Sequence, residues 1–446
     1  MFKAVTLFFD RLVRRYLPDA FLFAIVLTLI VYILGFVFTD SSPLDMAKYW
    51  GEGFWDLLAF AMQMTLIVVT GYILANTPVV KSLLGKLAKF AHTPGQAIIL
   101  VTVVSVIACL INYGFGLVIA ALFAREVVRV VPKVDYRLLI ASGYTGFLVW
   151  HGGFSGSVPL KIATPGHFLE DMIGVIPVTE TLFSSYNIFI VVTLFITLPI
   201  LNRLMLNATE SDGRIDPERL NQTNDSTDKK EDETLQKQEM TPAQRMENSM
   251  ILSILIGLLG LGYLVYYFAQ NGFNLTINIV NFIFLFVAIL LHKTPRKFLN
   301  NVTKGVQNAG GIIIQFPLYA GIMGMMVASG LSEQLSSWFV QISTDATLPF
   351  FTFLSAGILN MFVPSGGGQW AVQGPIMIPA AIDLNVSTAK TAMAVAWGDA
   401  WTNMIQPFWA LPLLAIAGLK IRDIMGFCVM ALFLSFIVIS IGFLFL

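Results

Sequence analysis

Seven apolar runs, each about 17 to 25 residues long, recur near positions 20–38, 55–76, 184–206, 248–269, 275–292, 308–330 and 424–446. At about 1.5 Å of rise per residue, a helix of that length crosses the roughly 30 Å hydrocarbon core of a bilayer. Lipid gives backbone N–H and C=O groups nothing to bond to, so only helices and closed barrels span it. Runs of this length select helices. Composition agrees: 56% of residues are hydrophobic, 12% are charged and the mean hydropathy is +0.76, which excludes a soluble globule with a charged surface. The fold class is therefore an all-α polytopic membrane protein, whose first run is expected to be a retained helix rather than a cleaved signal.

Four further stretches, 94–132, 138–165, 346–382 and 387–419, are apolar but interrupted midway. The first breaks at Asn112, Tyr113, Gly114, Phe115 and Gly116, and the third at Asn360 through Pro364, Ser365, Gly366, Gly367, Gly368, Gln369 and Trp370. The second carries Trp150, His151, Gly152, Gly153, Ser155, Gly156 and Ser157 with Pro159 beyond them; the fourth carries Asp399, Trp401, Thr402, Asn403 and Gln406 with Pro407 and Pro412. Broken backbone at membrane depth is tolerated only where it is buried in protein or lines a cavity. Paired discontinuous helices at the midplane are the usual construction of a secondary transporter site.

Lys and Arg in short loops favour the cytoplasmic side. Arg11, Arg14 and Arg15 place the N-terminus inside, Lys81, Lys86 and Lys89 follow inside after two crossings, and Arg125, Arg129, Lys133 and Arg137 fall inside again. The segment 94–132 must then leave and return on one face, as two short crossings or, the favoured reading, as a re-entrant hairpin. The acid-rich stretch 207–247 reads as a flexible cytoplasmic linker. It separates a first half, 1–206, from a second, 248–446. Each half runs helix, hairpin, broken helix, helix, with the second hairpin (346–382) opening from outside and the C-terminus external. The expected architecture is thus a pair of inverted repeats with two re-entrant hairpins and two broken transmembrane helices.

Helix starts near the midplane offer unpaired N–H groups to an anion, while unwound carbonyls and amide side chains suit a cation. The expected substrate-binding set is His151, Ser155, Ser157, Ser365, Gly366, Gly367, Gly368, Gln369, Trp370 and Asn403. The expected cation-coupling set is Asn112, Gly114, Gly116, Asn360 and Asp399. Asp399 lies well inside an apolar segment, where an ionisable group faces a cavity or a partner. Against these roles stand simpler ones: glycines for close helix packing, a satisfied interhelical His151, and a structural bond from Asp399 to Asn403. Lys161 and Arg125 are expected to snorkel to the interfaces, and Trp370, Trp397 and Trp401 are candidates to wall an apolar pocket. Few fixed cations beside aromatic residues suit a short monocarboxylate better than a dicarboxylate. Cys109 and Cys428 sit in apolar runs as small buried hydrophobes. No cofactor, no metal beyond a Na+, no nucleic acid and no enzymatic activity is called for: histidines lack HExxH spacing and no Walker motif is present.

The stretches VWHGGFSGS and VPSGGGQW, with the runs Asn112–Glu126, Ser142–Thr164, Asn360–Pro379 and Trp397–Leu419, resemble those of bacterial short-chain fatty acid transporters. The resemblance extends over essentially the whole chain and implies uptake of acetoacetate, butyrate and similar acids across the bacterial cytoplasmic (inner) membrane. That family is similar in architecture to the ion transporter superfamily. This similarity implies a homodimer, a scaffold with a moving, elevator-type transport domain, and symport with a cation; the alternative it carries is a carrier of dicarboxylates or other organic anions. The superfamily's Ser-Asn-Thr hairpin signature is replaced here by Asn-Tyr-Gly at 112–114 and Asn-Met-Phe at 360–362, which leaves the coupling ion as H+ or Na+.

Overall fold

The computed structural model describes residues 20–206, 240–406 and 408–446. Arg11, Arg14 and Arg15, residues 207–239 of the linker, and Pro407 lie outside the described residues. The described residues form helices and connections, without strands. Helix starts are written in side-chain chemistry. Ser42, Thr77, Thr93, Thr241 and Thr294 each precede a proline, and each hydroxyl accepts the N–H three residues on. The proline lacks the N–H that the first helical position would leave unpaired, and the hydroxyl satisfies another orphan donor.

Among the described residues, seven helices are long and apolar enough to cross a membrane: Phe21–Phe38, Leu58–Ala75, Pro94–Ile111, Ser185–Met205, Met250–Asn271, Gly310–Ala328 and Ile421–Phe445. Six coincide with the apolar runs. The run at 275–292 forms a shorter helix, Ile277–His292, and the remaining long helix is the first arm of the first interrupted stretch. Besides the one-turn helices Glu170–Ile173 and Val178–Thr181, four longer helices appear where only loops were expected: Pro43–Gly53, Pro78–Ala88, Pro295–Gln307 and Leu331–Ile342. Each is short and two-faced, so it carries too few apolar residues to register as a span. The linker also ends in a helix, Pro242–Glu247, because Thr241 and Gln244 form a capping box.

The first interrupted stretch is a helical hairpin, Pro94–Ile111 and Tyr113–Val130, joined by the single residue Asn112. Asn112 is extended (φ −159°, ψ 127°); its N–H still closes the first arm on the Ala108 carbonyl, while its Oδ1 accepts the Phe115 N–H at 2.9 Å and opens the second. The second hairpin pairs Leu348–Leu359 with Gly366–Asp383 through a longer link, 360–365, and Ser365 caps its second arm. The Gln369 amide donates to the Ala356 carbonyl and the Gln373 amide to Ser355 Oγ, both at 2.8 Å, tying these arms together. Both other stretches break as expected. Tyr136–Thr145 tightens into a 3₁₀ turn, Gly146–Gly152, before restarting as Ser157–Ile162; Thr388–Thr402 restarts as Ala410–Ala417.

The order long helix, short two-faced helix, hairpin, broken helix, long helix therefore occurs twice, from Leu58 to Met205 and from Gly310 to Phe445. Gly114 of the first hairpin packs on Val68, midway along Leu58–Ala75: a Cβ there would lie 3.0 Å from Val68 Cα. Gly367 and Gly368 of the second hairpin pack on Phe316 and Tyr319, midway along Gly310–Ala328.

Candidate functional site

The two broken helices meet side by side, and their side chains build a polar centre inside an otherwise apolar core. His151 is the penultimate residue of the 3₁₀ turn, and Asp399 sits one turn before the end of its helix. His151 Nε2 lies 3.2 Å from Asp399 Oδ2, with both side chains fully buried. Asn403 Nδ2 donates to the same Oδ2 at 3.1 Å. The Asn360 amide, at the second hairpin tip, points its N–H groups at the Asp399 carbonyl (2.9 Å), Thr402 Oγ1 (3.0 Å) and Asn403 Oδ1 (2.9 Å). Two hydrogens facing three acceptors fix the amide orientation, since its oxygen would meet two carbonyl oxygens there.

The first hairpin joins through Ser155, whose Oγ accepts the Tyr113 N–H at 2.8 Å, and through Phe154, whose N–H donates to the Leu110 carbonyl at 2.7 Å. Across the halves, the Tyr144 hydroxyl donates to the Asn403 carbonyl at 2.7 Å. Gly366 closes the centre: a Cβ there would stand 2.8 Å from Ser157 Oγ and nearer still to the His151 ring. Both His151 ring nitrogens, Ser157 Oγ, Asn360 Oδ1 and Asp399 Oδ1 are buried without a hydrogen-bond partner, the His151–Asp399 approach being close but poorly directed.

Eight of the expected residues therefore belong to this centre or its supports: Asn112, His151, Ser155, Ser157, Asn360, Gly366, Asp399 and Asn403. The others are placed differently. Ser365 caps its helix, Gln369 holds the hairpin arms, Gly367 and Gly368 pack on aromatic rings, and Gly116 packs on Cys109. Trp370 packs near Phe168, with ring centroids 6.5 Å apart. Trp397 donates to Asn187 Oδ1 at 3.0 Å, and Trp401 donates to the Leu432 carbonyl. The aromatic wall at the centre is a different set: Trp150 stacks on Phe147 (5.4 Å, 8°), lies 4.6 Å from Tyr113 and 3.6 Å from the His151 ring, and faces Trp409. Its sequence signal was the adjacency of Trp150 to His151 and of Tyr113 to Asn112.

The family model described as short chain fatty acid transporter matches residues 1–446. The chain belongs to the short-chain fatty acid transporter family. A provisionally named short-chain fatty acid transporter of Escherichia coli (strain K12) is 48% identical over 445 residues, 99% of each chain. One of the same name from Haemophilus influenzae (strain ATCC 51907 / DSM 11121 / KW20 / Rd) is 46% identical over 453 residues, 100% of each. The crystal structure of the Alcanivorax borkumensis YdaH transporter, noted for an unusual topology, matches with a TM-score of 0.59 over 95% of this chain and 98% of that one. At 12% identity the likeness is one of fold alone.

In this multi-pass transporter two cavities, of 620 and 630 Å³, lie at opposite ends of Leu58–Ala75 and Gly310–Ala328. The first is lined by Lys81, Arg125, Arg129 and Lys304 with Glu126, and reaches Gly114 and Trp409. The second is lined by Phe60, Lys161, Phe168, Met323 and Pro375, with Glu52 and Asp56 also on its wall. Neither is lined by His151, Ser157, Asn360, Gly366 or Asp399. Arg125 and Lys161 are 7% and 6% exposed, each on the wall of one cavity rather than on the outer surface.

Proposed function

We propose that this protein is a secondary active carrier of short-chain monocarboxylates such as acetoacetate or butyrate, in symport with a cation across the bacterial inner membrane. One observation carries the reading: the buried His151–Asp399 contact, where four backbone breaks converge among polar atoms that have no partner. An unsatisfied buried polar group costs about 1–3 kcal/mol. A set of them in one place is readily explained by a ligand that the site takes up. The substrate carboxylate lies against the N–H groups that open Gly366–Asp383 and against Ser157 and His151, with its alkyl part toward Trp150 and Tyr113. The orphaned oxygens Asp399 Oδ1 and Asn360 Oδ1 suit the coupling cation, either H+ on the His151–Asp399 pair or Na+ among the oxygens.

The hairpin tips packed midway along crossing helices support re-entrant hairpins, and the repeated element order with cationic loops supports inverted halves. The centre, closed from both cavities, then alternates between them as one body, in the manner of an elevator, against a scaffold within a homodimer. N-terminus inside and C-terminus outside follow from the loop charges.

Uptake of labelled butyrate into proteoliposomes tests this. An imposed H+ or Na+ gradient is expected to drive accumulation, and internal butyrate to accelerate exchange. Uptake that responds to neither gradient and shows no counterflow would sink the carrier reading.

A further inference from the structure

Lys161 is the one Asp, Glu, Lys or Arg between Arg137 and Glu170, and the mechanism above does not use it. It is buried, its Nζ stands 4.7 Å from the centroid of the Phe60 ring, and no carboxylate pairs with it among the described residues. An aromatic face stabilises an ammonium by about 0.5–2 kcal/mol, less than the several kcal/mol that burying an unpaired ion costs. The group is short of an anion.

We propose that Lys161 is the docking point for the substrate carboxylate in the 630 Å³ cavity, an anion site that precedes the polar centre. This rests on the carrier reading and extends it. Phe60, Phe168, Leu169, Met323 and Pro375 line the same cavity and offer apolar surface to a short alkyl chain. Its carboxylates, Glu52 and Asp56, are exposed, and Glu52 approaches Lys48 at 3.9 Å. Nearby His167 is engaged with the Gly174 carbonyl at 2.8 Å. One ammonium deep inside, with acids toward water, suits a substrate with a single carboxylate; a second would find no cation and would meet like charge.

The route onward is short. Lys161 lies four residues after Ser157 on the helix Ser157–Ile162, so both side chains share a face. Phe60, which carries the ammonium, also abuts Gly367: a Cβ there would stand 2.8 Å from Phe60 Cζ. One aromatic ring therefore separates Lys161 from the first turn of Gly366–Asp383. Rotation of that ring would pass a carboxylate from the ammonium to the helix N–H groups and Ser157.

Butyrate uptake by the full-length protein in proteoliposomes, with butyramide as a neutral competitor, tests the site. Lys161→Met is expected to raise KM about tenfold or more with maximal rate largely kept, and Lys161→Arg to retain most of the affinity. Lys161→Cys should behave like the Met variant and recover when 2-aminoethyl methanethiosulfonate restores an ammonium. It should not recover with neutral methyl methanethiosulfonate; buried Cys109 and Cys428 remain in place as the background. A Met variant with the parent's KM, equal recovery with both reagents, or butyramide competing as well as butyrate would overturn the inference while leaving the carrier reading intact. A parent protein that transports no monocarboxylate would overturn both.

Discussion

The His151 imidazole and the Asp399 carboxyl lie 3.2 Å apart, both without solvent. Removing the imidazole takes a polar neighbour from the buried Asp399 carboxyl, and a buried polar group left unsatisfied costs about 1–3 kcal/mol. His151→Ala is therefore expected to lower the melting temperature of the purified protein, and the double variant with Asp399→Asn to recover much of the loss. Strict additivity in this cycle would show that the two side chains do not interact. Asp399→Asn alone keeps the acceptor for Asn403 but not the charge, so gradient-driven accumulation should fall well below that of the parent while counterflow exchange continues. Equal loss of both activities would place Asp399 in substrate binding. His151, Asn360, Asp399 and Asn403 were legible in the sequence because hydrogen-bonding and ionisable side chains are costly in apolar segments and rarely sit there idle. For Gln369 and Trp370, proximity to a break says nothing of side-chain direction: the Gln369 amide joins the hairpin arms and Trp370 packs near Phe168. For Lys161 the sequence shows its place near the end of an apolar stretch but not the cavity wall on which it lies.

Helix ends decide how the elements meet. In the first hairpin one asparagine both stops and starts a helix, while the second needs the link 360–365 and a serine cap. The breaks themselves were visible as Gly, Pro, Asn and Ser within apolar stretches. The four short two-faced helices were not, because their length and mixed polarity match those of loops until a neighbour supplies the buried side. Gly366 is the position where element geometry touches the site most closely. Any Cβ there collides with the His151 ring and Ser157, so Gly366→Ala is expected to abolish butyrate uptake while the protein still inserts and elutes as the parent does. Parent-like uptake by this variant would mean that the centre has room to spare and that the first turn of Gly366–Asp383 is not a close wall of the site.

At the scale of the whole molecule, the twofold element order was readable from the spacing of runs and breaks although residue identity between the halves is weak. Element order and backbone breaks repeat, while caps, link lengths and side-chain packing differ between the halves. The orientation proposed from loop charge yields the sharpest test of the architecture. Lys133 lies between the first hairpin and the first broken helix, and Asp345 lies just before the second hairpin; both are exposed, while Cys109 and Cys428 are buried. Cysteine at 133 should react with an impermeant maleimide only in inside-out vesicles, and cysteine at 345 only in intact cells. If the halves are inverted, the two hairpins open to opposite sides and the labelling patterns must be opposite. If both positions label from one side, the halves run parallel, the hairpin tips cannot approach a common centre from opposite faces, and alternation between the cationic and Lys161 cavities loses its structural basis.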